Sequence, residues 1–134
     1  MQGKRGFTLI EVLIVVIILG ILATIAIPQF GKVVERARFA EVATNAHAVK
    51  AALAIYYMQE GELTDVLADI ESATGVTVGV MSEEWGADDP VISGIAGQNF
   101  VLTYTRAKGD EKDKKAIYTS STNSWNTDGY PYVP

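Results

Sequence analysis

Cysteine is absent from this 134-residue sequence and histidine occurs once, at His47. Without thiols the chain has no disulfide and no thiolate nucleophile or thiolate metal ligand, so its C-terminus must be held by packing and hydrogen bonds. That absence is silent on the redox compartment. His47 has no second His or Cys at ligand spacing and falls mid-helix, which makes it a helix-surface or interface side chain. No phosphate-cradling Gly-rich loop occurs; Gly75 to Gly79 reads as strand-edge spacing. No Asn-x-Ser/Thr acceptor is present. Basic charge is also scarce, 11 Lys plus Arg against 16 Asp plus Glu for a net charge of −5, and broad nucleic-acid affinity needs basic side chains to neutralise phosphates. No catalytic constellation emerges, so the chain is expected not to be an enzyme and to need no cofactor.

Charge of either sign is scarcest near the N-terminus. Between Arg5 and Lys32 the only ionisable side chain is Glu11, and Val12 to Ile27 holds nothing more polar than Gly20 and Thr24. From Phe7 the run is about 21 residues, roughly 31 Å as helix at 1.5 Å per residue, which matches a hydrocarbon core of roughly 30 Å. A carboxylate inside such a run costs about 2.5–3.5 kcal/mol on insertion scales, so Glu11 needs a partner or a task. The ordinary readings are a plain single-pass anchor or a secretory signal cut after Ala26. Against the signal stand the internal carboxylate and the length of the run. Basic residues flank both ends, Lys4 and Arg5 before and Lys32, Arg36 and Arg38 after, so charge alone does not orient the span.

Lys4-Arg5-Gly6-Phe7-Thr8-Leu9-Ile10-Glu11, followed by a clean apolar helix and Pro28, resembles the N-terminus of type IV pilins and pseudopilins. The match is tight from Lys4 to about Phe39 and is one of architecture beyond that. The resemblance implies that a prepilin peptidase cuts between Gly6 and Phe7 and methylates the new amine on Phe7. It also implies a cytoplasmic N-terminus, storage in the bacterial inner membrane, and later export into an extracellular filament. In that filament the Phe7 amine of an incoming subunit would pair with Glu11 of one already assembled, since leaving either charge unpaired in apolar surroundings is costly. Loss of Lys4 and Arg5 would shift the side-chain balance to 9 − 16 = −7. Many pilins close a C-terminal loop with a disulfide, and this chain departs from that pattern.

Beyond Pro28 the helical pattern continues. Val42, Ala46, Val49, Leu53 and Tyr56 recur at three and four and form an apolar stripe suited to lying on a sheet, with seven alanines between Ala40 and Ala54 adding propensity. Gly61 is the expected stop. Gly20, Pro28 and Gly31 weaken the helix chemically, because Pro28 removes a donor and crowds the carbonyl of Thr24. They mark either a static bend or a stretch that loses helical hydrogen bonds when a subunit leaves the bilayer. After Gly61 come a short helix around Leu63, Val66, Leu67 and Ile70 with Thr64 as cap. Strands follow over Val76 to Val80, Phe100 to Thr105 and Ala116 to Ser121. Arg106 to Lys115 is expected to be a solvated turn, too charged to bury.

The expected fold is therefore α+β: a long N-terminal helix, its outer half transmembrane, with its C-terminal half on a small antiparallel sheet. Residues 1–6 form the cleaved leader, 7–30 the membrane and polymerisation half-helix, and 31–134 the head. Asp88, Asp89 and Asp128 are weak candidates for metal ligands, turn and solvation roles being the ordinary alternative. Trp85, Trp125, Tyr130 and Tyr132 are expected to pack the head. The reading that results is a type IV pilus subunit with homopolymer, prepilin peptidase and pilus assembly machinery as partners, and no specific nucleic acid. A pseudopilin of a type II secretion system is the alternative, and a membrane-anchored enzyme or receptor head lies further off.

Overall fold

The structure is a computed structural model and describes residues 6–79, 81–86 and 90–131. The residues cluster into two units, Met1–Arg36 and Ala37–Pro134. Helix α1 runs from Leu9 to Glu60. Gly61 ends it: at φ +80° its N–H reaches the Tyr57 carbonyl at 2.9 Å, a closure that a residue without Cβ makes at little cost.

The second unit holds the core. Phe39, Val42, Ala46, Val49, Ala52 and Leu53 are the buried residues of α1, spaced so that they fall on one stripe. Tyr56 lies half-buried against the same cluster. A second helix, α2, spans Leu67–Thr74 and buries Ile70. It closes through Gly75, whose N–H meets the Glu71 carbonyl at 2.9 Å with φ +69°. Thr64 does not cap it. Val66 occupies the N-cap position without a side-chain bond, and Thr64 Oγ1 instead accepts from the Val66 N–H at 3.1 Å in a local turn.

Four antiparallel strands follow in sheet order β1-β2-β3-β4: β1 Val91–Ala96, β2 Asn99–Thr105, β3 Lys115–Thr119 and β4 Ser124–Asp128. The register lines up Ile92, Leu102, Tyr118 and Trp125 as one cross-sheet row. The first three of these are buried, and Trp125 packs partly against the same core. Aromatic rings join sheet and helix: Phe39 meets Trp125 edge-on at 5.1 Å, Trp125 lies 5.3 Å from Tyr118, and Trp85 lies 5.6 Å from Tyr130.

The expected strand over Val76 to Val80 does not form over its described residues, 76–79. Side chains satisfy that backbone in place of a neighbouring strand. Glu71 Oε1 accepts from the N–H groups of Val78 and Gly79 at 2.7 and 2.9 Å, and Asn45 Nδ2 donates to the Val78 carbonyl at 2.7 Å. Arg106 is the second correction. Read as part of a solvated loop, it is wholly buried. Its Nη1 donates to the Glu84 carbonyl at 2.5 Å and to Glu84 Oε2 at 3.0 Å, and its guanidinium lies 5.3 Å from the Trp85 ring centre. The rest of that loop carries exposed or half-exposed charge, with Lys108 on Glu83 and Lys114 on Glu111.

Candidate assembly and processing site

The described part of the N-terminal unit is largely a run of exposed apolar side chains. Every described residue from Gly6 to Val34 is exposed, including the large apolar residues from Leu9 to Ile27. Helix α1 is long and apolar enough to cross a membrane by length and composition. Leaving one Val, Leu or Ile in water in place of burying it forgoes roughly 1.5–3 kcal/mol. A surface of this size therefore demands a cover from outside the chain, either lipid or further protein.

Glu11 sits within the first turn and is used there. Its Oε2 accepts from the Thr8 N–H at 2.8 Å and from Thr8 Oγ1 at 2.7 Å, while Thr8 Oγ1 accepts from the Glu11 N–H at 3.3 Å. With Leu9 as the first helical residue this is a capping box: Thr8 is the N-cap and Glu11 the third helical residue. The carboxylate also lies at the positive end of the helix dipole. Among the described residues Glu11 Oε1 has no hydrogen-bond partner. The signature Ser/Thr-x-x-Glu stands in the sequence, yet the helix was expected to start two residues earlier, at Phe7.

Gly6 and Phe7 lie before the helix, outside regular structure and exposed, Phe7 by 87%. Their peptide bond is accessible on a segment that no hydrogen-bond ladder holds, which is what proteolysis requires. Lys4 and Arg5 lie outside the described residues. The structure thus brings Phe7, Thr8 and Glu11 into one short segment at the head of α1.

Gly20, Pro28 and Gly31 sit inside α1, which is assigned as helix through all three. Thr24 Oγ1 donates to the Gly20 carbonyl at 2.9 Å, giving the hydroxyl a partner within the helix. Pro28 has no N–H to offer the Thr24 carbonyl one turn back, so a helical bond is missing between these two positions.

The remaining candidates do not converge. Asp88 and Asp89 lie outside the described residues, and Asp128 is exposed at the end of β4. Among the described residues no group of three or more His, Cys, Asp or Glu is placed to hold a metal ion. His47 lies exposed on α1. Tyr132 lies outside the described residues, and Trp85, Trp125 and Tyr130 belong to the head's core and its margin. Sequence reading missed the Glu71 and Glu84 contacts, whose partners are not adjacent in the chain.

Comparison with known proteins places these features in context. Residues 1–27 match a family model described as the prokaryotic N-terminal methylation motif. The chain is 30% identical over 136 aligned positions to the type IV major alpha-pilin of Moraxella bovis, an alignment covering 96% of the chain and 84% of the relative. It is 36% identical over 104 residues to the fimbrial protein EcpC of Eikenella corrodens, covering 78% of the chain and 63% of that protein. Against the type IV major pilin protein PilA of Myxococcus xanthus it is 44% identical over 67 residues, covering 50% of the chain and 30% of the relative. The chain thus spans less than two thirds of the last two relatives.

Proposed function

Because this chain belongs to the type IV pilin family, we propose that it is a structural subunit of a type IV pilus, held in the bacterial inner membrane by the first part of α1 and then polymerised through it. The observation that carries this is the uncovered apolar surface of Leu9 to Ile27. Lipid covers it before assembly and the same segment of neighbouring copies covers it afterwards. The chain performs no reaction of its own. Its surface appears at the cell exterior once the filament has been extruded.

Processing comes first. A prepilin peptidase cuts the exposed Gly6-Phe7 bond and methylates the amine that cleavage leaves on Phe7. That amine then stands one residue before the Thr8 cap, at a helix end whose dipole disfavours positive charge. Glu11 offsets it. On this reading the carboxylate has two tasks: Oε2 holds its own helix start, which the Thr8 bonds support, and Oε1 accepts from the Phe7 amine of another subunit. Pairing both charges on assembly avoids leaving either one buried alone. Gly20, Pro28 and Gly31 are where α1 gives up helical bonds as a subunit passes from bilayer to filament, since Pro28 has already removed one there. The pilus assembly machinery is the partner that drives this transfer.

The test is filament shearing from cells that make the chain, followed by intact-mass analysis. The expected result is a filament subunit that begins at Phe7 and carries one methyl group more than unmodified residues 7–134. A subunit that starts at Met1 or Ile27, or a chain that never leaves the membrane fraction, overturns the reading. Glu11→Ala and Glu11→Gln are both expected to insert at wild-type levels and to lose most of the filament yield, because the role depends on charge. Normal yield from both removes Glu11 from the assembly step.

A further inference from the structure

We propose that the head's sheet continues from subunit to subunit, strand β4 of one copy adding to the open edge of β1 on the next; this rests on the pilus reading above. The sheet has two open ends. In the order β1-β2-β3-β4 no strand pairs with the outer side of β1 or of β4 among the described residues. Five of the six residues of β1 are exposed, among them Val91 and Ile95, and every residue of β4 but Trp125 is exposed. Open edges present unpaired N–H and C=O groups and are normally guarded by charge or proline. Charge guards them little: β1 has no charged residue, and β4 has only Asp128 at its end.

Three features of the chain select a second copy as the occupant. First, the processed copies are acidic, with a side-chain balance of 9 − 16 = −7 each, so they approach with least repulsion along strips of little charge, and across these two strands Asp128 is the one charged residue. Second, all three strand pairings are antiparallel, so β1 and β4 run in opposite directions. Copies that point the same way, as subunits of a polar filament do, therefore meet β4 against β1 antiparallel, the better hydrogen-bonded arrangement. Third, the two edges differ, so the contact is heterologous, the kind that repeats along a helical polymer when its rotation does not close a ring.

The seam is short. A bulge between Ser93 and Ala96, where Gly94 takes φ +61°, confines the regular edge to Val91–Ser93. Such a contact buries far less than the roughly 1,200–2,000 Å² of a self-sufficient interface. It acts only between copies already held side by side, where linkage makes a weak contact effectively intramolecular.

Because the sequence contains no cysteine, engineered pairs report the seam without background. Ser93, Ser124 and Asn126 are exposed and lie off the buried Ile92–Trp125 row, so replacing them spares the core. Full-length Ser93→Cys/Ser124→Cys and Ser93→Cys/Asn126→Cys chains test the in-row register and one shifted by two. Filament yield is scored first under reducing conditions, then sheared filaments are oxidised and run without reductant. The expected result is a ladder of covalent dimers, trimers and longer species from at least one double variant, lost on reduction, with monomers from each single variant. Covalent dimers from Ser93→Cys alone would mean two β1 edges meeting, which overturns the proposal. Filaments that give no ladder from either double variant overturn it as well and leave the pilus reading standing. A wild-type chain that forms no filaments sinks both.

Discussion

One oxygen of Glu71 accepts two backbone N–H groups that would otherwise need a strand neighbour. The Gly79 N–H and then the Val78 N–H hold its carboxyl below the usual carboxylate range, against a smaller opposing effect of burial. Its folded pKa being lowered, this stabilisation is fully present above the unfolded value of about 4.3 and is lost as pH falls through the lower folded value. Glu71→Gln should therefore lower the urea midpoint at neutral pH, and the gap from wild type should shrink below about pH 4. A gap of constant size would show that the charge is not what fastens residues 76–79. Arg106 is the other residue that decides a segment. Removing it leaves Glu84, with 33% of its side chain exposed, without its buried partner but still 3.4 Å from Arg38. Arg106→Ala should cost about 2–3 kcal/mol, below the roughly 3–5 kcal/mol of a fully buried pair because Glu84 is partly solvated. Chemical denaturation measures it, and Lys108→Ala, which breaks an exposed pair, should leave the midpoint nearly unchanged. Neither role was legible in the sequence. Glu84 is 22 residues from Arg106, and a run such as Arg106 to Lys115 gives no local sign that its first member turns inward.

At the scale of elements, legibility followed periodicity. The stripe from Val42 to Leu53, the stop at Gly61, and strands β2 and β3 were readable because burial repeats there at a fixed spacing. Strand β1 was not: its glycine, its bulge and its exposed edge position give Val91–Ala96 a single buried residue and no alternation. Strand β4 was hidden by turn-forming residues, Asn126, Thr127 and Asp128, which an edge strand tolerates because one side faces water. The converse error, a strand over Val76 to Val80, came from a true alternation whose described backbone is satisfied by Glu71 and Asn45. The first turn of α1 was misplaced because the Thr8–Glu11 box was read for its charge and not for its cap. The α1 stripe yields a direct check. Leu53→Ala, at a residue 1% exposed, should destabilise the head by about 2–5 kcal/mol, whereas Met58→Ala on the exposed side should stay within about 0.5 kcal/mol. Equal effects from the two would mean that the stripe is not the packed face.

At the scale of the whole molecule, the two units differ in what they need. The core cluster draws its residues from Phe39 onward, so the head has its own apolar interior. A fragment beginning near Gly31 should be soluble and unfold cooperatively in urea, and an insoluble or non-cooperative fragment would show that the head depends on the first half of α1. The arrangement of aromatic rings extends the reach of such measurements. Both tryptophans and all six tyrosines lie at or beyond Tyr56, and Trp85 and Trp125 each stand within 7 Å of tyrosine rings. Tyrosine and tryptophan absorption and emission therefore come from the head alone, with tyrosines close enough to pass excitation to tryptophan. The intact chain in a bilayer carries its own optical reporter, one blind to the membrane segment and sensitive to the rings that pack sheet on helix. Loss of that transfer during unfolding in lipid would follow the head without any attached dye.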